Sequence, residues 1–165
     1  MQTFQAIKKR KSVREYGKKP LSRRLLTRLI DAARLAPTAR GVEPWDFVVI
    51  QKQKTLDEIS RLAPNGVFIK NARAAIAVLS QDTKYYIEDC SAATENILLM
   101  AADAGIGACW IAGDKKDYAR DTARLLNCPK DHRLVSIIAL GFPSKKASGG
   151  KKKRPLNDVI HWESF

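Results

Sequence analysis

Histidine and cysteine are scarce: two His (His132, His161) and three Cys (Cys90, Cys109, Cys128) in 165 residues. Three scattered cysteines without a CxxC pair exclude a disulfide framework. Two histidines leave little from which to build a structural or catalytic metal centre. Aromatic residues make up only 7% of the chain. No apolar run approaches the roughly 18 residues of a membrane-spanning helix. The opening MQTFQAIKKR has no apolar stretch of the kind a secretory signal needs. No internal repeat is present, and low complexity is confined to one Lys-rich loop near the C-terminus. These absences predict a soluble, reduced, cytoplasmic protein. The length is room for one domain, residues 1–165, and a composition of 45% apolar and 28% charged residues is globular.

What is abundant is positive charge, and it is localised. The net charge is +13. Residues 1–28 hold ten Lys/Arg against one acid, Glu15, and residues 145–165 hold six against two, Asp158 and Glu163. Residues 29–144 hold fourteen of each sign, so the whole excess lies at the two ends. Clustered cations of this kind serve a nucleic-acid binder. They serve equally a protein whose ends converge on one phosphorylated ligand, or they are solvated termini that aid solubility.

The hydrophobic pattern gives alternating helices and strands. Thr3 caps a short helix to about Lys9, and Ser22 caps a second whose Leu25, Leu26, Leu29, Ile30 and Ala33 recur at helical spacing. Residues 38–44 form a loop leading into a strand over 45–50. A short helix over 54–62 and a Pro-Asn-Gly turn precede AAIAVLS at 74–80, a fully apolar run of strand length and so a central strand. The longest helix covers 86–104 and stops at Gly105. Its middle is apolar on most sides, which predicts burial in a core or an interface. A strand over 108–112, a helix over 118–126 capped by Asp114, and a strand over 133–140 follow. The order predicts an α+β, three-layer α/β/α arrangement. The tail 155–165 is apolar at Leu156, Val159, Ile160, Trp162 and Phe165 and needs a surface to cover.

Four segments carry candidate chemistry. Arg10-Lys11-Ser12-Val13-Arg14 offers cationic forks and a hydroxyl, suitable for a phosphate. Ala36-Pro37-Thr38-Ala39-Arg40-Gly41-Val42-Glu43-Pro44-Trp45 is a rigid loop delivering a Trp onto a strand. Asp89 to Trp110 contains Asn96 and then Gly105-Ile106-Gly107-Ala108-Cys109-Trp110. Its glycines lie between helix and strand, the reverse of a dinucleotide fingerprint, so a Rossmann site is rejected. Cys109 has no His or acid at catalytic spacing and reads as an inert buried thiol. Last come Gly141-Phe142-Pro143 and Lys151-Lys152-Lys153-Arg154-Pro155-Leu156, without the interleaved aromatics of a single-strand binder.

In this order and spacing the four segments resemble the FMN-dependent nitroreductase family, from about Ala6 to Trp162. The resemblance implies a central mixed, mostly antiparallel sheet flanked by helices, in an intertwined homodimer with FMN at its interface. It implies that Arg10, Lys11, Ser12 and Arg14 bind the phosphate, ribityl chain and pyrimidine edge, and that Lys152 and Arg154 reach the same phosphate. Pro37, Thr38, Gly41 and Glu43 would flank the flavin from the other subunit. Cys109 and Trp110 would lie near the isoalloxazine ring. The helix over 86–104 would pack the dimer interface, and the tail would embrace the partner. The implied activity is that of an oxidoreductase: NADH or NADPH as co-substrate, ping-pong kinetics, and nitroaromatics, quinones or other small molecules as oxidant. No side-chain nucleophile is called for, so no catalytic residue is assigned.

Two positions depart from the family's usual form. Gly41 stands where Asn is common, and Glu43 where Gln is common. An ionised Glu43 near the ring disfavours added negative charge on it, unless it pairs with Arg40 and faces solvent. Other readings are a flavin protein with a different task (dehalogenation, dehydrogenation or regulation) and a basic nucleic-acid-binding domain.

Overall fold

The computed structural model describes residues 2–144 and 153–165. Its sheet is built from β1 (Trp45–Ile50), β2 (Ala74–Gln81), β3 (Gly107–Ala112) and β4 (His132–Gly141). The order is β1-β2-β4-β3, and each neighbouring pair is antiparallel. The mixed character expected of the sheet is reduced to a single parallel bridge between Ser12 and Ala108. The apolar runs in β2 and β4 are explained by burial on both faces. Along β2, Ala74, Ile76 and Val78 enter one core while Ala75, Ala77 and Leu79 enter the other.

Helices cover both faces, giving the expected three layers. α2 (Arg23–Arg34) and α4 (Tyr86–Asp103) lie over the first core. α3 (Gln53–Leu62), the 3₁₀ segment Pro64–Asn71 and α5 (Ala119–Leu125) lie over the second. α1 (Thr3–Lys9) packs against α4. Ser22 caps α2 as predicted, its Oγ accepting the Leu25 N–H at 3.3 Å. Gly105 ends α4 at φ +70°, a left-handed position that glycine adopts without a Cβ penalty. Asn96 in α4 donates to the Ala32 carbonyl at 3.0 Å and so ties α4 to the last turns of α2.

Two caps differ from the sequence reading. Thr3 is the first helical residue of α1, and the cap position is Gln2, which makes no side-chain bond. Asp114 does not cap α5; its carboxylate accepts the Tyr86 hydroxyl at 2.8 Å instead. A bulge is the reason. β2 pairs Val78 with Ser136 and Leu79 with Leu134, which leaves Val135 as an extra residue in β4. The Val135 carbonyl takes the N–H groups of Gly113 and Asp114 at 2.9 and 3.1 Å, pulling the chain after β3 back over the sheet. The tail from 153 to 165 is exposed throughout, with one 3₁₀ turn at Leu156–Asp158.

Candidate functional site

Residues 10–16 form a strip along the outer edge of β3. The Val13 N–H donates to the Ala108 carbonyl at 2.9 Å, and Val13 is buried. The Tyr16 hydroxyl lies 2.6 Å from the Val13 carbonyl and 3.2 Å from that of Ala139. Burial pushes this phenol far above its ordinary range, so it stays a neutral donor. Two glycines make room for these anchors. A Cβ on Gly107 would stand 2.7 Å from Val13 Cγ1, and one on Gly141 would stand 2.8 Å from Tyr16 Cδ1. Gly107 and Gly141 are also cross-strand partners. The glycines of the third and fourth segments therefore make room for Val13 and Tyr16 of the strip.

Ser12 and Arg14 flank buried Val13, while Arg10, the C-cap of α1, and Lys11 line a cavity together with Val13. Ser12 and Arg14 are exposed, and Arg10 and Lys11 are half-buried. Arg10 has one loose acidic neighbour, with Nε 3.7 Å from Glu95 Oε1. Arg14 stands over the Phe68 ring at 5.6 Å. Cys109 is buried beside this strip. Burial pushes its thiol up, while Arg14 and a hydrogen bond with Ser12 pull the other way. The result is an un-ionised thiol, the inert role the sequence suggested. Trp110, the next residue of β3, is 37% exposed. A cavity of about 170 Å³ opens against the strip, lined among others by Arg10, Lys11, Leu98, Gly107, Ala108 and Pro143.

The second segment lies elsewhere. Thr38 donates to Asp89 Oδ2 at 3.1 Å, and the Ala39 N–H donates to Asp89 Oδ1 at 2.9 Å. The loop is therefore docked on the first turn of α4, whereas the strip's cavity reaches Leu98, Ala102 and Gly105 at the helix's other end. Arg40, Gly41 and Glu43 all have positive φ, at 60°, 67° and 49°. This gives Gly41 a backbone reason: the left-handed region suits Gly and also Asn, the residue common there in the resembling family. Arg40 and Glu43 form no ion pair, and Glu43 is exposed. A cavity of about 150 Å³ lies beside the loop, lined by Ala39, Arg40, Val42, Thr83, Lys84, Tyr85 and Asp89.

One chain thus brings together Arg10, Lys11, Ser12, Arg14, Cys109 and Trp110, and separately Pro37, Thr38, Gly41 and Glu43. Arg154 joins neither group; its guanidinium donates to the Asp158 carbonyl in the tail. Lys152 lies outside the described residues. Two residues that sequence reasoning left without a role are Tyr16 and Asp89. The signal for Asp89 was an acid in the first turn of a helix whose middle is apolar on most sides.

The chemistry of the strip fits a phosphate dianion. Three cations and a hydroxyl are presented, and among the described residues the ion pair to any of them is the 3.7 Å contact of Arg10 with Glu95. Neither cavity alone reaches the roughly 300 Å³ at which cofactor sites begin. A larger cleft of about 830 Å³ lies at the opposite end of β4. Its acids are engaged internally: Asp82 with Arg133, Asp114 with Tyr86 and Asp131 with His132. His132 also reaches Asp46 of β1, so both ring nitrogens face carboxylates at 2.9 Å. Only the protonated ring donates to both. The bonds to Asp131 and Asp46 raise its pKa, against burial.

Comparison with known proteins identifies the family. A family model described as "Putative TM nitroreductase" matches residues 2–164. A curated relative from Methanothermobacter thermautotrophicus, named "Putative NADH dehydrogenase/NAD(P)H nitroreductase", is 33% identical over 171 residues, covering 100% of this chain and 88% of its own. A crystal structure from Parabacteroides distasonis bearing the same name superposes with a TM-score of 0.93 at 31% identity, covering 100% of this chain and 99% of that one. An FMN-dependent nitroreductase from Clostridium difficile gives 0.87 at 28% identity, over 97% and 98% of the two chains. Among the described residues no helix is long and apolar enough to cross a membrane. The matches run the length of the chain: it belongs to the nitroreductase family and is an enzyme of that NAD(P)H oxidoreductase class.

Proposed function

We propose that this protein is an FMN-dependent oxidoreductase that uses NADH or NADPH to reduce nitroaromatics, quinones or related small acceptors, working as a homodimer with FMN at the interface. The observation that carries the reading is the split donor set. The phosphate-suited strip and the Asp89-docked loop sit at opposite ends of α4 in one chain, each beside a cavity too small for a flavin. A second copy that sets its loop against this strip completes one site and, by symmetry, the other. The exposed tail supports the same arrangement. Trp162 and Phe165 are 82% and 106% exposed, so the chain leaves its own apolar end uncovered.

FMN, when bound, would supply the two-electron redox chemistry between NAD(P)H and the oxidant, with ping-pong kinetics expected. The chain's residues bind and orient. Arg10, Lys11, Ser12 and Arg14 hold the phosphate end by charge-assisted hydrogen bonds, with Lys152 and Arg154 of the basic C-terminal segment adding to them. Cys109 and Trp110 of β3, and Pro37, Thr38, Gly41 and Glu43 of the second copy's loop, would be the residues that hold the flavin ring. No side chain is asked to act as nucleophile, consistent with a protonated Cys109.

The first experiment is the visible spectrum of freshly purified protein, with the released chromophore identified by mass. A yellow protein releasing FMN at about one per chain is expected. A colourless protein that takes up no added FMN would overturn the reading.

A further inference from the structure

Among the described residues Asp89 is the only charged side chain buried in the body, at 5% exposed. No cation pairs with it. A buried carboxylate is costly unless hydrogen bonds satisfy it, so its donors define what it is for. Those donors all belong to the loop between α2 and β1. Oδ1 takes the Ala39 N–H and Oδ2 takes the Thr38 hydroxyl. Thr38 Oγ1 in turn accepts the Glu43 N–H at 3.1 Å. The relay runs from α4 through a hydroxyl to the far end of the loop, spanning the three residues with positive φ.

The carboxylate is specific to this task. It accepts only, so it compels the Thr38 hydroxyl to donate toward α4 and leaves the oxygen's lone pairs for Glu43. An amide there would point N–H groups at Thr38 and compete with the Glu43 bond. Left-handed residues other than glycine each cost free energy and persist only where the surroundings over-determine them. Here the surroundings are one carboxylate and one hydroxyl. Asp89 also sits in the first turn of α4, where negative charge is favoured by the helix dipole. The docking point is therefore favoured electrostatically as well as buried.

The geometry points to Asp89, acting through Thr38, as the positioning residue of the loop that flanks the flavin: it fixes where Gly41 and Glu43 stand against the ring. The inference rests on the flavin reading above. It assigns Asp89 no contact with the cofactor and no part in chemistry.

The test uses full-length protein and compares wild type with Thr38→Ser, Thr38→Val and Asp89→Asn. FMN dissociation constants, the bound flavin's visible band and the melting temperature are measured for each. Thr38→Val and Asp89→Asn are expected to weaken FMN binding about tenfold and to shift the band, because each leaves a relay donor unmatched. Thr38→Ser keeps the hydroxyl and restores both readings to within about twofold. A purely structural role would lower the melting temperature and leave affinity and band alone. Should Asp89→Asn fail to fold, the Thr38 pair decides the matter. Variants that bind FMN like a flavin-binding wild type overturn the positioning role alone. A wild type without affinity for FMN overturns the flavin reading, and this inference with it.

Discussion

The seat of the phosphate strip on two glycines makes a quantitative prediction for Gly141→Ala. The added Cβ would lie 2.8 Å from Tyr16 Cδ1 and 2.9 Å from Tyr16 Cβ and Cγ. Carbon atoms rest at about 3.5–4.0 Å, so the overlap is well over half an ångström. Rotating the ring does not relieve it, because Tyr16 Cβ is itself in contact and the hydroxyl is held by Val13 and Ala139. The strip's backbone must move. Overpacking of this kind costs about 1–3 kcal/mol. The stiffer unfolded chain of an alanine variant returns about 0.4–1 kcal/mol. The net loss lies between about 0 and 2.6 kcal/mol, and its midpoint of about 1.3 kcal/mol corresponds to a fall of about 3–5 °C in melting temperature for a domain of this size. Gly17→Ala is the control: its Cβ would meet only carbonyl oxygens, at 3.6 and 4.0 Å. Thermal unfolding followed by circular dichroism at one protein concentration, without added flavin, reads both. FMN affinity should fall in Gly141→Ala and hold in Gly17→Ala. Coincident melting curves for the two variants would refute the packing argument.

Arg10→Ala and Arg14→Ala should each weaken FMN binding about 10- to 100-fold, since a hydrogen bond to a charged group is at stake, and should flatten its salt dependence; fluorescence titration at two ionic strengths checks this. Gly41→Asn/Glu43→Gln should raise the flavin's midpoint potential by removing a carboxylate from its edge, and a potentiometric titration showing no upward shift sinks that assignment. The His132 clamp should make stability pH-dependent. Its folded pKa is raised, so its contribution is complete below the ordinary histidine value of about 6.5 and is lost as pH climbs through the raised value. The gap in melting temperature between wild type and His132→Gln should therefore be wider at pH 6 than at pH 9. A gap independent of pH would show that the ring is not the titrating link between Asp46 and Asp131.

Much of this was legible in the sequence because local and global signals agree. The apolar run AAIAVLS could only be an interior strand, and β2 is one. Ser22 and Gly105 marked helix ends by chemistry that needs no tertiary context. Asp114 misled because a capping residue was inferred from its type, while a bulge at Val135, set by register between distant strands, redirected its backbone. The sequence singled out the segments that the structure groups into a strip and a docked loop, but not the packing that places them. The glycine pattern ruled out a dinucleotide fingerprint but gave Gly107 and Gly141 no positive role, and only the packing of Val13 and Tyr16 shows whom they make room for. Asp89 was visible as part of a pattern, and its purpose lies fifty residues away in Thr38 and Ala39.

The uncovered tail has a thermodynamic corollary. Leu156, Val159, Ile160, Trp162 and Phe165 gain little from the folding of their own chain. In the proposed dimer their burial is released only on association, so it enters the stability with the logarithm of protein concentration. The melting temperature should then rise on concentrating the sample, and blending two preparations should exchange subunits at a rate set by tail release. On dilution the same side chains return to water, flanked by Lys153, Arg154, Asp158 and Glu163, whose charges keep the freed end dispersed until another copy arrives.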